Sequence, residues 1–182
     1  MRADKSKYNI EPLGEHNRAA FLCGKESLDR YIREQASQDV KRQLASVFVI
    51  AAKEAPKTVL AYYSLSSKEL KVDRLPPEIA RRAGKHGSVG VTLLGRLAVT
   101  NQYKGTGLGE LTMMHTLEKS LDASRNVASW AVFVEALDIE ASNFYRKYGF
   151  IELPEDSLKL FLPMKTVAQL FNPQRIAKPR KR

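Results

Sequence analysis

One string limits what this chain can fold into more than any other: Gln102-Tyr103-Lys104-Gly105-Thr106-Gly107-Leu108-Gly109. Ahead of it, residues 91–99 (VTLLGRLAV) read as a strand. Behind it, Leu108, Leu111, Met114, Leu117 and Leu121 recur along one side of a helix. A helix start carries unpaired N–H groups and the positive end of the helix dipole. Glycines let an anion approach that backbone with no Cβ in the way. Strand, glycine turn and helix together make a cradle for a diphosphate. Two common cradles do not fit. A Rossmann dinucleotide site needs G-x-G-x-x-G in the first βα unit, and a Walker loop needs G-x-x-x-x-G-K-[ST]. Here the pattern is G-x-G-x-G, placed mid-chain after several strands, and no Walker string occurs.

The remaining periodicities describe a mixed α/β domain. Residues 8–13 have strand character, ended by Pro12 and Gly14. Leu28, Tyr31, Ile32, Gln35 and Ala36 follow a helical period reaching about Val40. Residues 46–53 and 58–67 read as two strands, antiparallel across a hairpin at Pro56. Residues 71–90 look the least ordered. Pro76-Pro77 can open a short helix through Arg82, followed by a flexible loop at Gly84, Gly87 and Gly90. Gly95 interrupts the next strand, where a glycine marks a bulge or a close backbone approach. Residues 128–134 form a further strand. Asp138 N-caps a helix over residues 139–148, with Gly149 at its C′ position. Residues 158–164 make the last strand and residues 166–171 a terminal helical turn. The expected architecture has three layers, α/β/α, in a single domain over residues 1–171, with a basic tail at 172–182.

Composition narrows the partners. The 182 residues, 43% hydrophobic and 27% charged, suit one domain with a sizeable core. No apolar run approaches the roughly 20 residues that span a bilayer, and no apolar segment follows the polar start, so the expected location is the cytoplasm. A single cysteine, Cys23, excludes an internal disulfide, and Cys23, His16, His86 and His115 lack metal-ligand spacing, so no metal is expected. Cys23 reads as a small structural residue and His115 as a helix-surface or interface residue. The net charge of +10 argues for a polyanionic partner. Arg175, Lys178, Arg180, Lys181 and Arg182 form either a solvated end or a phosphate-contacting arm.

At Gln102-x-x-Gly105-x-Gly107 the chain resembles the signature of the GNAT (GCN5-related) N-acetyltransferases, [RQ]-x-x-G-x-[GA]. Ala141-Ser142-Asn143-Phe144-Tyr145-Arg146-Lys147-Tyr148-Gly149-Phe150 is similar to the family's late A-x-x-F-Y-x-x-x-G-F helix. The resemblance implies a GNAT fold, with a central mixed, mostly antiparallel sheet flanked by helices, and acetyl-CoA as cofactor. It implies cofactor contacts from Leu97, Ala98 and Val99 on the strand, from Lys104, Gly105, Thr106, Gly107, Leu108, Gly109 and Glu110 on the turn, and from Asn143. On the late helix, Ala141, Phe144 and Tyr148 share one face and read as core. Tyr145 stands about 100° away, able to pack its ring and keep its hydroxyl near a cleft. By resemblance Tyr145 is the acid that donates to the departing thiolate, and the Val99 N–H steadies the thioester oxygen.

The resemblance narrows further. Ala20-Phe21-Leu22-Cys23-Gly24, Leu28-Asp29-Arg30-Tyr31, Gln38-Asp39, Leu94-Gly95-Arg96-Leu97-Ala98-Val99 and Leu160-Phe161-Leu162-Pro163-Met164 look like a GNAT subgroup of bacterial toxins. It covers most of residues 8–171. It implies a type II toxin that acetylates the α-amino group of the amino acid on charged tRNA and stops translation. It also implies a small ribbon-helix-helix DNA-binding antitoxin and a homodimer. The residues agree: no general base is evident, which suits an α-amino acceptor of pKa near 8, and Arg81, Arg82, Lys85 and Arg96 can line an acceptor-stem path. Two rivals stand beside this reading. One is a GNAT enzyme for a small amine or a protein N-terminus; the other is a non-enzymatic nucleic-acid-binding module.

Overall fold

A computed structural model describes residues 3–172, so the basic residues from Arg175 to Arg182 lie outside the described residues. The strands are β1 (Tyr8–Pro12), β2 (Ser46–Ala52), β3 (Ala61–Lys71), β4 (Ser88–Val99), β5 (Ala131–Glu135), β6 (Ile151–Leu153) and β7 (Asp156–Pro163). The α-helices are α1 (Glu26–Arg30), α2 (Ala36–Lys41), α3 (Pro77–Ala83), α4 (Leu108–Ser124), α5 (Ile139–Arg146) and α6 (Met164–Phe171). The strands hydrogen-bond in the order β1-β2-β3-β4-β5-β7-β6, and the β1–β2, β2–β3, β5–β7 and β6–β7 pairs are antiparallel. This mixed α/β architecture, a seven-stranded sheet with flanking helices, is the expected fold class. No helix among the described residues is long and apolar enough to cross a membrane.

The chain divides into two compact units, residues 1–66 with 94–116, and residues 67–93 with 117–182. In the first, β-branched and aromatic side chains line β2 and β3, which pair with Val47 opposite Ser64 and Ile50 opposite Ala61. Phe21, Tyr31, Ile32, Ala36, Val47, Val49, Tyr62 and Ala98 form its core. Tyr62 packs edge-on against Phe21 and donates its hydroxyl to the Leu28 carbonyl at 2.7 Å, so this buried phenol is satisfied. Gly95 does mark a close approach: a Cβ there would lie 3.0 Å from the Ser64 hydroxyl. His115 is not a free surface residue. It is half-buried, with Nδ1 2.8 Å from the Tyr63 hydroxyl and its ring beside Phe48.

In the second unit, β5 and β7 pair with Phe133 opposite Phe161, and Leu70, Leu75, Ala83, Val91, Leu153 and Phe161 pack around them. Residues 71–90 are more ordered than their composition suggests. β3 runs on to Lys71, Pro77 opens α3 as expected, and β4 already starts at Ser88, so Gly90 is a strand residue. The Trp130 N–H donates to the Gly90 carbonyl at 2.8 Å, and the Ala128 carbonyl lies 3.9 Å from where a Gly90 Cβ would stand. Gly90 therefore belongs to the sheet rather than to a flexible loop. β6, only three residues long, carries too little pattern to be read from sequence.

Burial gives the fold a predictable alkaline limit. The Cys23 thiol is pushed up from 9.0 to about 11, and burial raises the Tyr62 and Tyr145 phenols above their ordinary 10.0. Below about pH 9 folded and unfolded chains both keep these protons, so stability is flat there. As pH rises further, the unfolded chain releases them first and the folded state loses ground. The thermal midpoint, followed by circular dichroism, is expected to hold from about pH 7 to 9 and to fall steadily above it. Tyr62→Phe is expected to make that decline shallower; an unchanged slope would contradict the assignment.

Candidate active site

The glycine turn is built in the first unit. At the end of β4, the Thr100 N–H donates to the Leu60 carbonyl at 2.8 Å and closes the strand. Asn101 to Tyr103 then make one 3-10 turn. Gly105 and Gly107 both take left-handed backbone, φ +75° and +86°. Two such residues, one apart, are cheap only for glycine. Thr106 between them donates its hydroxyl to the Tyr103 carbonyl at 2.7 Å, which tightens the turn. α4 follows, its Leu111 N–H bonding back to the Gly107 carbonyl at 3.1 Å. The amides at such a helix start are the ones an anion can reach. A Cβ on Gly105 would meet nothing within 4 Å, so the space over the turn is open. Helix-start amides, a helix dipole and an open approach fit a diphosphate such as that of coenzyme A.

The strand residues before the turn divide by face. Ala98 is buried in the core, while Leu97 and Val99 are half-buried. Leu111 and Met114 do not sit on the core face of α4, as the periodicity predicted. With Ala3, Gly107 and Glu110 they line a cavity of about 190 Å³ beside the turn. The fully buried positions are instead Leu108, Thr112, Met113, Thr116, Leu117 and Ser120. Thr112 and Thr116 donate their hydroxyls to the carbonyls of Leu108 and Thr112, 2.7 and 2.8 Å away, which lets polar side chains face inward. An apolar-only count misses such a face.

The tyrosine helix lies in the second unit. The Asp138 carboxylate accepts the Ala141 N–H at 2.9 Å, the expected N-cap. α5 ends at Arg146, two residues before the expected Tyr148, and Gly149, at φ +89°, follows in the closing turn. The inward face differs from the predicted one. Ser142 and Tyr145 are buried, whereas Ala141, Phe144 and Tyr148 are half-buried. The cause is local: Ser142 donates its hydroxyl to the Ser157 carbonyl at 2.9 Å, and the Tyr145 ring packs against Phe144 and Phe150, each 5.6 Å between centroids. With Tyr145 only 6% exposed, burial holds its phenol protonated well beyond neutral pH. Asn143 is exposed and accepts from the Arg146 guanidinium at 3.5 Å.

The basic residues are not alike. Arg81 and Arg82 stand exposed on α3, and Lys85 is exposed just after it. Arg96 is half-buried, its guanidinium 3.6 Å above the Tyr31 ring, a cation–π contact that holds it against the protein. Lys104 also points inward, donating to the Cys23 carbonyl at 2.7 Å. Main-chain acceptors of this kind leave no trace in residue identity, so sequence reasoning missed them. Among the described residues no group of three or more His, Cys, Asp or Glu is placed to hold a metal ion.

Comparison with known proteins points the same way. Residues 83–166 match the sequence profile of the acetyltransferase (GNAT) domain. The chain is 28% identical to the probable toxin TacT of Sinorhizobium fredii strain NGR234, over 91% of this chain and 96% of that protein. It superimposes on a tyrosine-to-phenylalanine mutant of KacT with a TM-score of 0.85 and 29% identity, covering 91% of this chain and 99% of the other. It matches AtaT complexed with acetyl-methionyl-tRNAfMet with a TM-score of 0.83 and 27% identity, again over 91% and 99%. A tyrosine-to-phenylalanine mutant of AtaT bound to the C-terminus of the antitoxin AtaR and acetyl-CoA matches with a TM-score of 0.78 and 25% identity over 91% and 99%. Profile match, fold and glycine turn agree: residues 83–166 match an acetyltransferase (GNAT) domain, and nine-tenths of the chain shares the fold of KacT and AtaT.

Proposed function

We propose that this acetyltransferase is the toxin of a type II toxin–antitoxin pair and acetylates the α-amino group of the amino acid carried by charged tRNA. The observation that carries the reading is the likeness, over nine-tenths of the chain, to AtaT complexed with acetyl-methionyl-tRNAfMet. Acetylation of that amine removes the nucleophile of peptide-bond formation, so translation stops. The site of action is the cytoplasm, where charged tRNA is used. Residues 1–171 act as one acetyltransferase domain and 172–182 as a basic tail.

Acetyl-CoA supplies an acetyl thioester, and this chain supplies its placement. The amides of Gly105, Thr106, Gly107, Leu108, Gly109 and Glu110 hold the diphosphate, with Lys104 at the entrance to the turn. The main chain of Leu97, Ala98 and Val99 holds the pantetheine arm, and the Val99 N–H meets the thioester oxygen. Tyr145 keeps its proton until it is given to the thiolate, and its raised pKa suits a donor that must stay neutral at cellular pH. Asn143, exposed midway along α5, contacts the cofactor. The acceptor α-amine is already partly neutral near pH 8 and needs no strong base.

Arg81, Arg82, Lys85 and Arg96 contribute the positive charge that meets tRNA phosphates. The partner that silences the toxin is a small ribbon-helix-helix DNA-binding antitoxin, and the active form is a homodimer. The likeness to AtaT bound to the antitoxin AtaR supports the antitoxin assignment.

The test is incubation with labelled acetyl-CoA and total charged tRNA. Label is expected as N-acetyl-aminoacyl-tRNA; label only on free amines or protein N-termini would overturn the reading. Reversing Arg81, Arg82 and Lys85 to glutamate is expected to cut tRNA acetylation by about tenfold or more, because phosphate contacts are lost. Acetyl-CoA affinity should stay unchanged. Unaltered tRNA kinetics would remove α3 from the path.

A further inference from the structure

We infer that Lys104 and Asp29 are positioning residues for the acetyl-CoA turn, and that Phe21 to Gly24 form the brace through which they act. The inference rests on the reading that the glycine turn holds the diphosphate. The brace is a continuous chain of bonds. The Asp29 carboxylate, buried at 4% exposure, accepts the Cys23 N–H at 2.7 Å. Arg33 donates to the Phe21 carbonyl. The helical segment thus grips the Phe21–Gly24 main chain from one side.

From the other side the same main chain grips the approach to the turn. The Leu22 carbonyl accepts both the Asn101 N–H at 2.8 Å and the Thr100 hydroxyl at 3.1 Å. The Cys23 carbonyl accepts the Lys104 ammonium at 2.7 Å. Gly24 takes left-handed backbone, φ +84°, and a Cβ there would stand 3.5 Å from the Asn101 side chain and 4.0 Å from the Lys104 ammonium. Three anchors therefore fall on Thr100, Asn101 and Lys104, the residues that lead into Gly105.

The assignment changes what Lys104 does. A lysine beside a diphosphate cradle is ordinarily read as a phosphate ligand. Here its ammonium is spent on a carbonyl, a charge-assisted bond of the strong kind. It fixes the backbone whose next amides receive the anion. Preorganised amides bind an anion without paying to order themselves, so loosening the brace should weaken acetyl-CoA and leave chemistry on the bound complex intact.

Steady-state kinetics on the full chain separate the possibilities. Lys104→Met is expected to raise the KM for acetyl-CoA about tenfold, the loss of one charge-assisted hydrogen bond. The kcat and the KM for charged tRNA should stay near wild type. Gly24→Ala and Asp29→Ala, which leave every charge on the turn in place, are expected to raise the same KM with the same split. If Lys104→Met raises it while both other variants leave it at the wild-type value, Lys104 touches phosphate directly and the brace is overturned. It is equally overturned if none of the three moves it, or if kcat falls with KM unchanged. Gly107→Val is measured alongside: if it leaves acetyl-CoA binding intact, the turn itself has been misassigned, a failure distinct from that of the brace.

Discussion

Tyr145→Phe lowers the turnover of charged tRNA by about 10²- to 10⁴-fold, the span a positioned general acid contributes, while the protein still folds and still binds acetyl-CoA. The substitution removes one oxygen and keeps the ring, so the contacts with Phe144 and Phe150 survive. The phenol sits in a buried site that holds it neutral. Its loss therefore leaves no stranded charge, and stability should change by less than about 1 kcal/mol. Single-turnover acetylation with saturating acetyl-CoA checks the first statement, and a thermal shift on adding acetyl-CoA checks the second. Turnover within a few-fold of wild type would end the acid assignment.

Gly107→Val abolishes cofactor binding for a different reason. At φ +86° an L side chain is strained by about 1–2 kcal/mol, and a β-branched one suffers most. The isopropyl group also adds bulk to the cavity beside the turn that Gly107 helps line. Strain and obstruction together are expected to raise the acetyl-CoA dissociation constant about 100-fold or more, which takes roughly 2.8 kcal/mol. Isothermal titration of purified protein reads it directly. Gly105→Ala is the internal comparison. Its single added methyl enters the open space over the turn and adds backbone strain of about 1 kcal/mol, so the loss is smaller than for the bulkier valine. Equal effects at the two positions would argue against obstruction.

These predictions rest on features with different visibility in the sequence. The turn was legible because left-handed backbone demands glycine at Gly105 and Gly107, and the demand appears in the letters. The Asp138 cap, Pro77 at the head of α3 and Gly149 were legible for the same reason: each residue type answers a local backbone need. The inward faces of α4 and α5 were not. Thr112, Thr116, Ser120 and Ser142 are buried polar side chains, and hydrogen bonds within the fold rather than apolarity place them there. The order in residues 71–90 was hidden too, because glycine and basic residues read as loop until a neighbouring strand supplies hydrogen bonds. Of the candidate site, the residue types were legible. The direction in which Lys104 and Arg96 point was not, because it depends on a carbonyl and a ring distant in the chain.

Between α1 and α2 the helix widens to a π-helical stretch, Tyr31–Gln35. Tyr31 and Ala36 are both buried although five residues apart, a spacing that puts them about 140° apart on an α-helix. The wide turn brings them back to the same side and leaves Arg33, Glu34 and Gln35 outside. A chain lacking Glu34 would close that turn to ordinary α geometry with both flanks still facing inward. Single-residue gaps between related chains are therefore to be sought at this point, where shortening the backbone disturbs no packing.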